Sequence, residues 1–140
     1  MASAAMLMII LTVAVSARAQ PESIAANLCN VLSSPSEYNH KVVSVEGVIS
    51  PSIHSLFLSS PTCRQENADF TTQAVLPASW ETLLNGKALR KFLHRGKSAS
   101  VKLTGTFEAD PRRYGPDGAR FRLAISGISS VGAAPPGFHL

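Results

Sequence analysis

Aromatic residues are scarce in this chain: six Phe, two Tyr and one Trp among 140 residues. A barrel that gripped single-stranded nucleic acid by base stacking would carry a denser platform. Cysteine is scarcer still, with Cys29 and Cys63 alone. The four histidines, His40, His54, His94 and His139, stand at no two- to four-residue spacing from each other or from a cysteine. Metal centres need such clusters, so no metal is expected. There is no P-loop, no dinucleotide fingerprint and no G-x-S-x-G elbow, and no cofactor is expected. Acids number nine, and only Glu108 and Asp110 stand close together, beside a turn. Such a pair is ordinarily solvated, and the expectation is a protein that is not an enzyme.

Long apolar runs are also missing. Ala4 to Val15 is apolar but for Thr12, too short to span a bilayer as a helix. Ala17-Arg18-Ala19 follows, the small-x-small pattern of a signal-peptidase site, so residues 1–19 read as a signal peptide and Gln20 as the mature N-terminus. The competing reading is a buried N-terminal helix. Asn27-Leu28 ahead of Cys29 does not form a lipidation box. The expected location is exported, periplasmic or extracellular, with no transmembrane segment. Loss of Arg18 with the leader leaves 12 basic and 9 acidic residues, a net charge of +3. That is not the dense basic surface of a protein whose affinity comes from phosphate contacts.

In an exported chain an even cysteine pair is read first as a disulfide, here Cys29–Cys63. A redox pair would use C-x-x-C spacing. Ile24, Leu28, Val31 and Leu32 share one helical face, giving a short leader helix within residues 20–34 that Cys29 would staple to the main domain. Pro35 stops it, and residues 34–40 read as a turn with Asn39 left-handed.

From Lys41 the period changes to two. Lys41–Ser50 and Ser98–Glu108 share a phrase, Val43-Ser-Val-Glu-Gly-Val-Ile49 and Val101-Lys-Leu-Thr-Gly-Thr-Phe107. Each places a glycine, Gly47 or Gly105, inside a strand, where a bend or bulge is the usual reason. Ile53–Ser59 and Thr71–Leu76 read as further strands, and Ala119–Ser130 as the last. Between them Trp80, Leu83, Leu84, Ala88, Phe92 and Leu93 recur at helical steps, interrupted by Asn85-Gly86 and ended by Gly96. Residues 132–140 contain Pro135-Pro136-Gly137 and read as a flexible tail.

The order strand-strand-strand-helix-strand-strand implies a mainly β domain over residues 35–131. It predicts a five-stranded Greek-key barrel of the OB-fold type, preceded by the short amphipathic helix. The stretch Pro35-x-x-Tyr38-x-x-Lys41-x-Val43-x-Val45-x-Gly47-x-Ile49, with Arg95-Gly96-Lys97 leading into Val101-x-Leu103-x-Gly105, resembles small exported bacterial OB-fold proteins. These are the families grouped with tRNA-anticodon-binding domains and the periplasmic bacterial OB-fold group. The resemblance implies the fold and carries over no ligand.

Two basic constellations stand out. Lys87, Lys91 and Arg95, with Arg90 and His94 alongside, form a helical stripe that reads as a solvated outer face. The loop Asp110-Pro-Arg-Arg-Tyr-Gly-Pro-Asp-Gly118 joins the last two strands, and that loop commonly grips ligands in this fold. Arg112 and Arg113 offer planar donors for carboxylate or phosphate and Tyr114 a stacking face, while Phe57, pointing away from Leu56 and Leu58, adds a second aromatic on the face of the second and third strands. The competing reading is an ordinary turn of Pro, Gly and Asp. The expectation is therefore a monomeric, non-catalytic exported binding module. Its partner would be a small anionic ligand, a glycan or an envelope protein. Single-stranded nucleic-acid binding through the barrel face, or strand-edge pairing with an envelope partner, are the alternatives.

Overall fold

The computed structural model describes residues 22–63 and 71–136. The leader, Gln20 and residues 137–140 lie outside them, as does most of the loop before the third barrel strand. The elements are β1 (Ile24–Ala25), α1 (Leu28–Ser33), α2 (Pro35–Tyr38), β2 (Val42–Pro51), β3 (Leu56–Ser59) and β4 (Thr72–Val75). A 3-10 turn (Trp80–Thr82), α3 (Gly86–His94), β5 (Ala99–Glu108) and β6 (Phe121–Ala133) follow.

Five strands close on themselves. β2 pairs with β3, β3 with β4, β4 in parallel with β6, β6 with β5, and β5 returns to β2. With α3 between the third and fourth barrel strands, this is the OB-like Greek key that the element order implies. Alternation sends Val43, Val45 and Ile49 of β2 inward, to meet Val101, Leu103 and Phe107 of β5 and Phe121, Leu123 and Ile125 of β6. Leu89 of α3 is fully buried against this core, which also takes in Leu28, Val31 and Leu32 of α1.

The glycines in the shared phrase are places of close approach. A Cβ at Gly47 would stand 2.7 Å from the Ser59 carbonyl oxygen, where β2 begins to pair with β3 as well as β5. One at Gly105 would stand 2.5 Å from the Ala124 carbonyl oxygen, beside a break in register with β6. That register slips twice, leaving Ser126 and Ser129 unmatched on β6. These bulges bend the strand and tighten its twist, as closing a small barrel requires.

Cys29 and Cys63 form the disulfide, which ties α1 to the end of the β3 strand region and is compatible with an oxidising compartment. Among the described residues no helix is long and apolar enough to cross a membrane.

Local readings differ in several places. Residues 35–38, read as turn, form α2, because Pro35 suits a first helical turn as well as it ends the preceding helix, and Ile53–Ser55 lie in the loop before β3 rather than in the strand. Ile24 is not on the leader helix: with Ala25 it pairs in parallel with Val43 and Ser44, and the helix starts at Leu28, with the Cys29 N–H donating to the Asn27 side chain. Its helical spacing to Leu28 is coincidental, since the edge of β2 captures the segment first. His40 rather than Asn39 takes the left-handed conformation, because the Asn39 side chain is engaged across the barrel end. β6 runs on to Ala133, where Val131 to Ala133 pair with Val101 to Ala99. The interrupted helix does resolve into two pieces, with Asn85 left-handed at their junction.

Candidate ligand-binding hairpin

The hairpin between β5 and β6 is built on Tyr114. Its main chain pairs with Ala119, both hydrogen bonds measuring 2.8 Å, so residues 115–118 form a tight tip. Gly115 and Gly118 hold positive φ angles there, which is why glycine stands at both. The tip lies against the barrel wall. A side chain on Gly115 would strike the Gln73 amide at 2.5 Å, and Ser55 Oγ donates to Asp117 at 2.7 Å. This hydrogen bond joins the β5–β6 loop to the β2–β3 loop.

Tyr114 is 2% exposed. It is therefore not the open stacking face that the sequence suggests; it is a platform beneath the arginines. The Arg112 guanidinium carbon lies 5.1 Å and that of Arg122 4.8 Å from its ring centroid, cation–π distances. Its hydroxyl accepts from the Asp110 N–H at 3.0 Å, which gives the buried oxygen a partner. Arg112 and Arg113 are exposed, and among the described residues neither forms an ion pair. Arg122 instead bonds Glu108 across the β5–β6 pair, and that bond raises its pKa above the ordinary value.

Phe57 is half-buried on β3, opposite Gln73, which in turn stands opposite Arg122. The row Phe57–Gln73–Arg122–Glu108 thus crosses the outer face of the barrel beneath the hairpin tip. Arg112 is thus an exposed cation over the buried Tyr114 ring, with Arg113 exposed beside it, while Phe57 stands two strands from Arg122 along this row.

The loop's base holds a network with no local sequence signal, because its members are some 70 residues apart. Asp110 Oδ1 accepts from Asn39 Nδ2 at 3.1 Å and lies 2.9 Å from His40 Nε2, while Asn39 Oδ1 accepts from the Ala109 N–H at 2.8 Å. The Asn39 hydrogen bond, with contributions from His40 and Arg112, holds the Asp110 carboxyl below its ordinary pKa against the opposing effect of burial. The turn before β2 is thereby fixed to the hairpin.

The remaining candidates stand apart. Lys87 and Lys91 of α3, and Arg95 just past its end, are exposed with Arg90 and His94, and Arg90 pairs with Glu81 at 3.3 Å. His54 is exposed, and His139 lies outside the described residues. Among the described residues no three His, Cys, Asp or Glu side chains converge as a metal site would need.

No family model matches the chain, and no curated protein does. Among solved structures it is similar to one assigned as an aspartyl-tRNA synthetase from Leishmania major Friedlin, with a TM-score of 0.46 and 12% identity over 89% of this chain. The match spans 24% of that protein's length, about a quarter, and carries no argument about function.

Proposed function

We propose that this chain is an exported, non-catalytic binding module that takes a small anionic ligand, a carboxylate or phosphate, at Arg112 and Arg113. The observation that carries the reading is the pair of exposed guanidinium groups, in no ion pair among the described residues although the Arg112 charge reaches Asp110, on a loop anchored through Tyr114, Asp117 and Asp110. Guanidinium is the side chain suited to planar, two-point recognition of carboxylate and phosphate oxygens. A loop held in place loses little entropy on binding. The disulfide and the leader pattern of residues 1–19 support export. Single-stranded nucleic acid is the weaker reading, because the hairpin's aromatic is buried.

Calorimetric titration with inorganic phosphate and citrate, comparing the mature protein with Arg112→Ala/Arg113→Ala, tests this. Heat that the double substitution abolishes supports the site. Equal heats, or none from the unaltered protein, overturn it. A single-stranded oligonucleotide bound in preference to both anions would establish the nucleic-acid reading instead.

A further inference from the structure

The whole chain carries a net charge of +4, and residues 81–97 account for all of it, with five Lys or Arg against the single acid Glu81. Elsewhere eight basic and eight acidic residues cancel. Arg90 takes Glu81 as its partner, at 3.3 Å. Lys87, Lys91, Arg95 and Lys97 are exposed, and among the described residues none of them is in an ion pair.

The helix sets these charges on one side. Lys87, Lys91 and Arg95 follow at one-turn steps with Arg90 and His94 beside them, while Leu89 is buried and Phe92 and Leu93 pack on the core. Lys87 to Arg95 covers about 12 Å at the helical rise, so the cations act as one patch. At the head of this stripe Leu84, two residues before Gly86 opens α3, is 80% exposed. The outside of a helix is convex, whereas small ligands bind in concave sites. The aromatics of this region, Trp80 and Phe92, pack against the core, so neither offers an open ring for a base to stack on.

We infer that α3 docks the protein on the surface of a bilayer with anionic phospholipid headgroups. A cluster of Lys and Arg is drawn to such a surface, each cation near it strengthening partitioning about fivefold. A projecting leucine gains by entering the lipid interface and gains nothing in water. The stripe therefore holds both parts of interfacial binding, unpaired charge and one exposed apolar side chain. α3 leads into β5 at Ala99, and the hairpin of Arg112 and Arg113 leaves β5 after Glu108, so the two stand at opposite ends of that strand. Docking through α3 leaves the hairpin turned toward solution, and it does not depend on the hairpin binding an anion.

Cosedimentation of the disulfide-bonded mature protein with vesicles tests this. Vesicles of phosphatidylcholine with three parts in ten of phosphatidylglycerol should carry the protein down, and pure phosphatidylcholine should not. Salt at about 1 M, where the screening length falls to about 3 Å, should release it. Lys87→Gln/Lys91→Gln should weaken partitioning about 25-fold with the melting temperature unchanged, since both side chains are exposed and unpaired among the described residues. Leu84→Ser should weaken it several-fold and leave its salt dependence as it was. Arg112→Ala/Arg113→Ala should leave it intact, which separates this face from the hairpin. Soluble glycerol phosphate at equal phosphate should not displace the protein, which separates a bilayer from a free headgroup. No binding to the anionic vesicles, equal binding to pure phosphatidylcholine, an equal loss from the hairpin substitutions, displacement by glycerol phosphate, or tighter binding to duplex DNA at equal phosphate would overturn the inference.

Discussion

Asn85 Nδ2 donates to the carbonyl oxygen of Ser129 at 3.0 Å, and Ser129 is one of the two residues that β6 carries in excess of β5. The same amide reaches the Ile128 carbonyl at 2.9 Å. A bulge leaves carbonyls off the ladder, and here the side chain at the head of α3 satisfies them. The bend that closes the barrel and the helix that plugs it are therefore one construction.

Asn85→Ala should destabilise the protein by about 2–3 kcal/mol, combining two lost hydrogen bonds with a left-handed backbone that alanine tolerates poorly. Asn85→Gly keeps the backbone and loses only the bonds, so it should cost less, about 1–2 kcal/mol. Urea denaturation of both variants measures the difference. Equal stability of Asn85→Gly and the unaltered protein would remove the amide from the argument.

The two strand glycines should behave as closure points. Gly47→Val and Gly105→Val drive a side chain into backbone carbonyl oxygens that cannot rotate away, and each should cost about 3 kcal/mol or more. Gly132→Val, on the same sheet with open space, should cost less than about 1 kcal/mol. Thermal melts of the three variants test the contrast.

What sequence could show here depended on whether the physics was local. The alternation around Val43 and Val101 and the punctuation at Asn85-Gly86 are local, and they suffice for strand order, the split helix and the barrel class. β6 escaped in part because its bulges stretch the apolar spacing from two to three, at Ile125, Ile128 and Val131. β1 escaped because two exposed residues hold to the edge of β2 by main-chain pairing, which leaves no pattern. At the hairpin, Arg112, Arg113 and Tyr114 were legible as residue types. The burial of Tyr114 was not, because it depends on Arg122 and Asp110 meeting one ring. Gln73, Ser55 and Asn39 contribute contacts from remote loops and strands that no short motif records.

Removing the disulfide should cost about 3–4 kcal/mol, from the unfolded-chain entropy of a cross-link whose ends stand 34 positions apart in sequence. The loss should also loosen the two segments it joins, α1 and residues 60–62, before the barrel. Cys29→Ser/Cys63→Ser should show faster amide exchange at Leu28, Ser60 and Thr62 than at Leu103 or Leu123. Uniform acceleration would mean that the staple holds the whole domain rather than those two segments.

Acid should release the loop base at Asp110. Its folded-state pKa lies below the ordinary 3.8, chiefly through the Asn39 hydrogen bond, so the folded state favours the carboxylate. A group depressed in this way contributes its stabilisation fully above the unfolded value and loses it as pH falls from 3.8 through the folded value. The gap in melting temperature between the unaltered protein and Asp110→Asn should therefore be widest near neutrality and shrink below pH 3.8. Asn39→Ala should move the Asp110 carboxyl back toward its ordinary value, read by carbon NMR of the side chain. A gap that stays constant through the acid range would show that Asp110 holds the loop by shape rather than by charge.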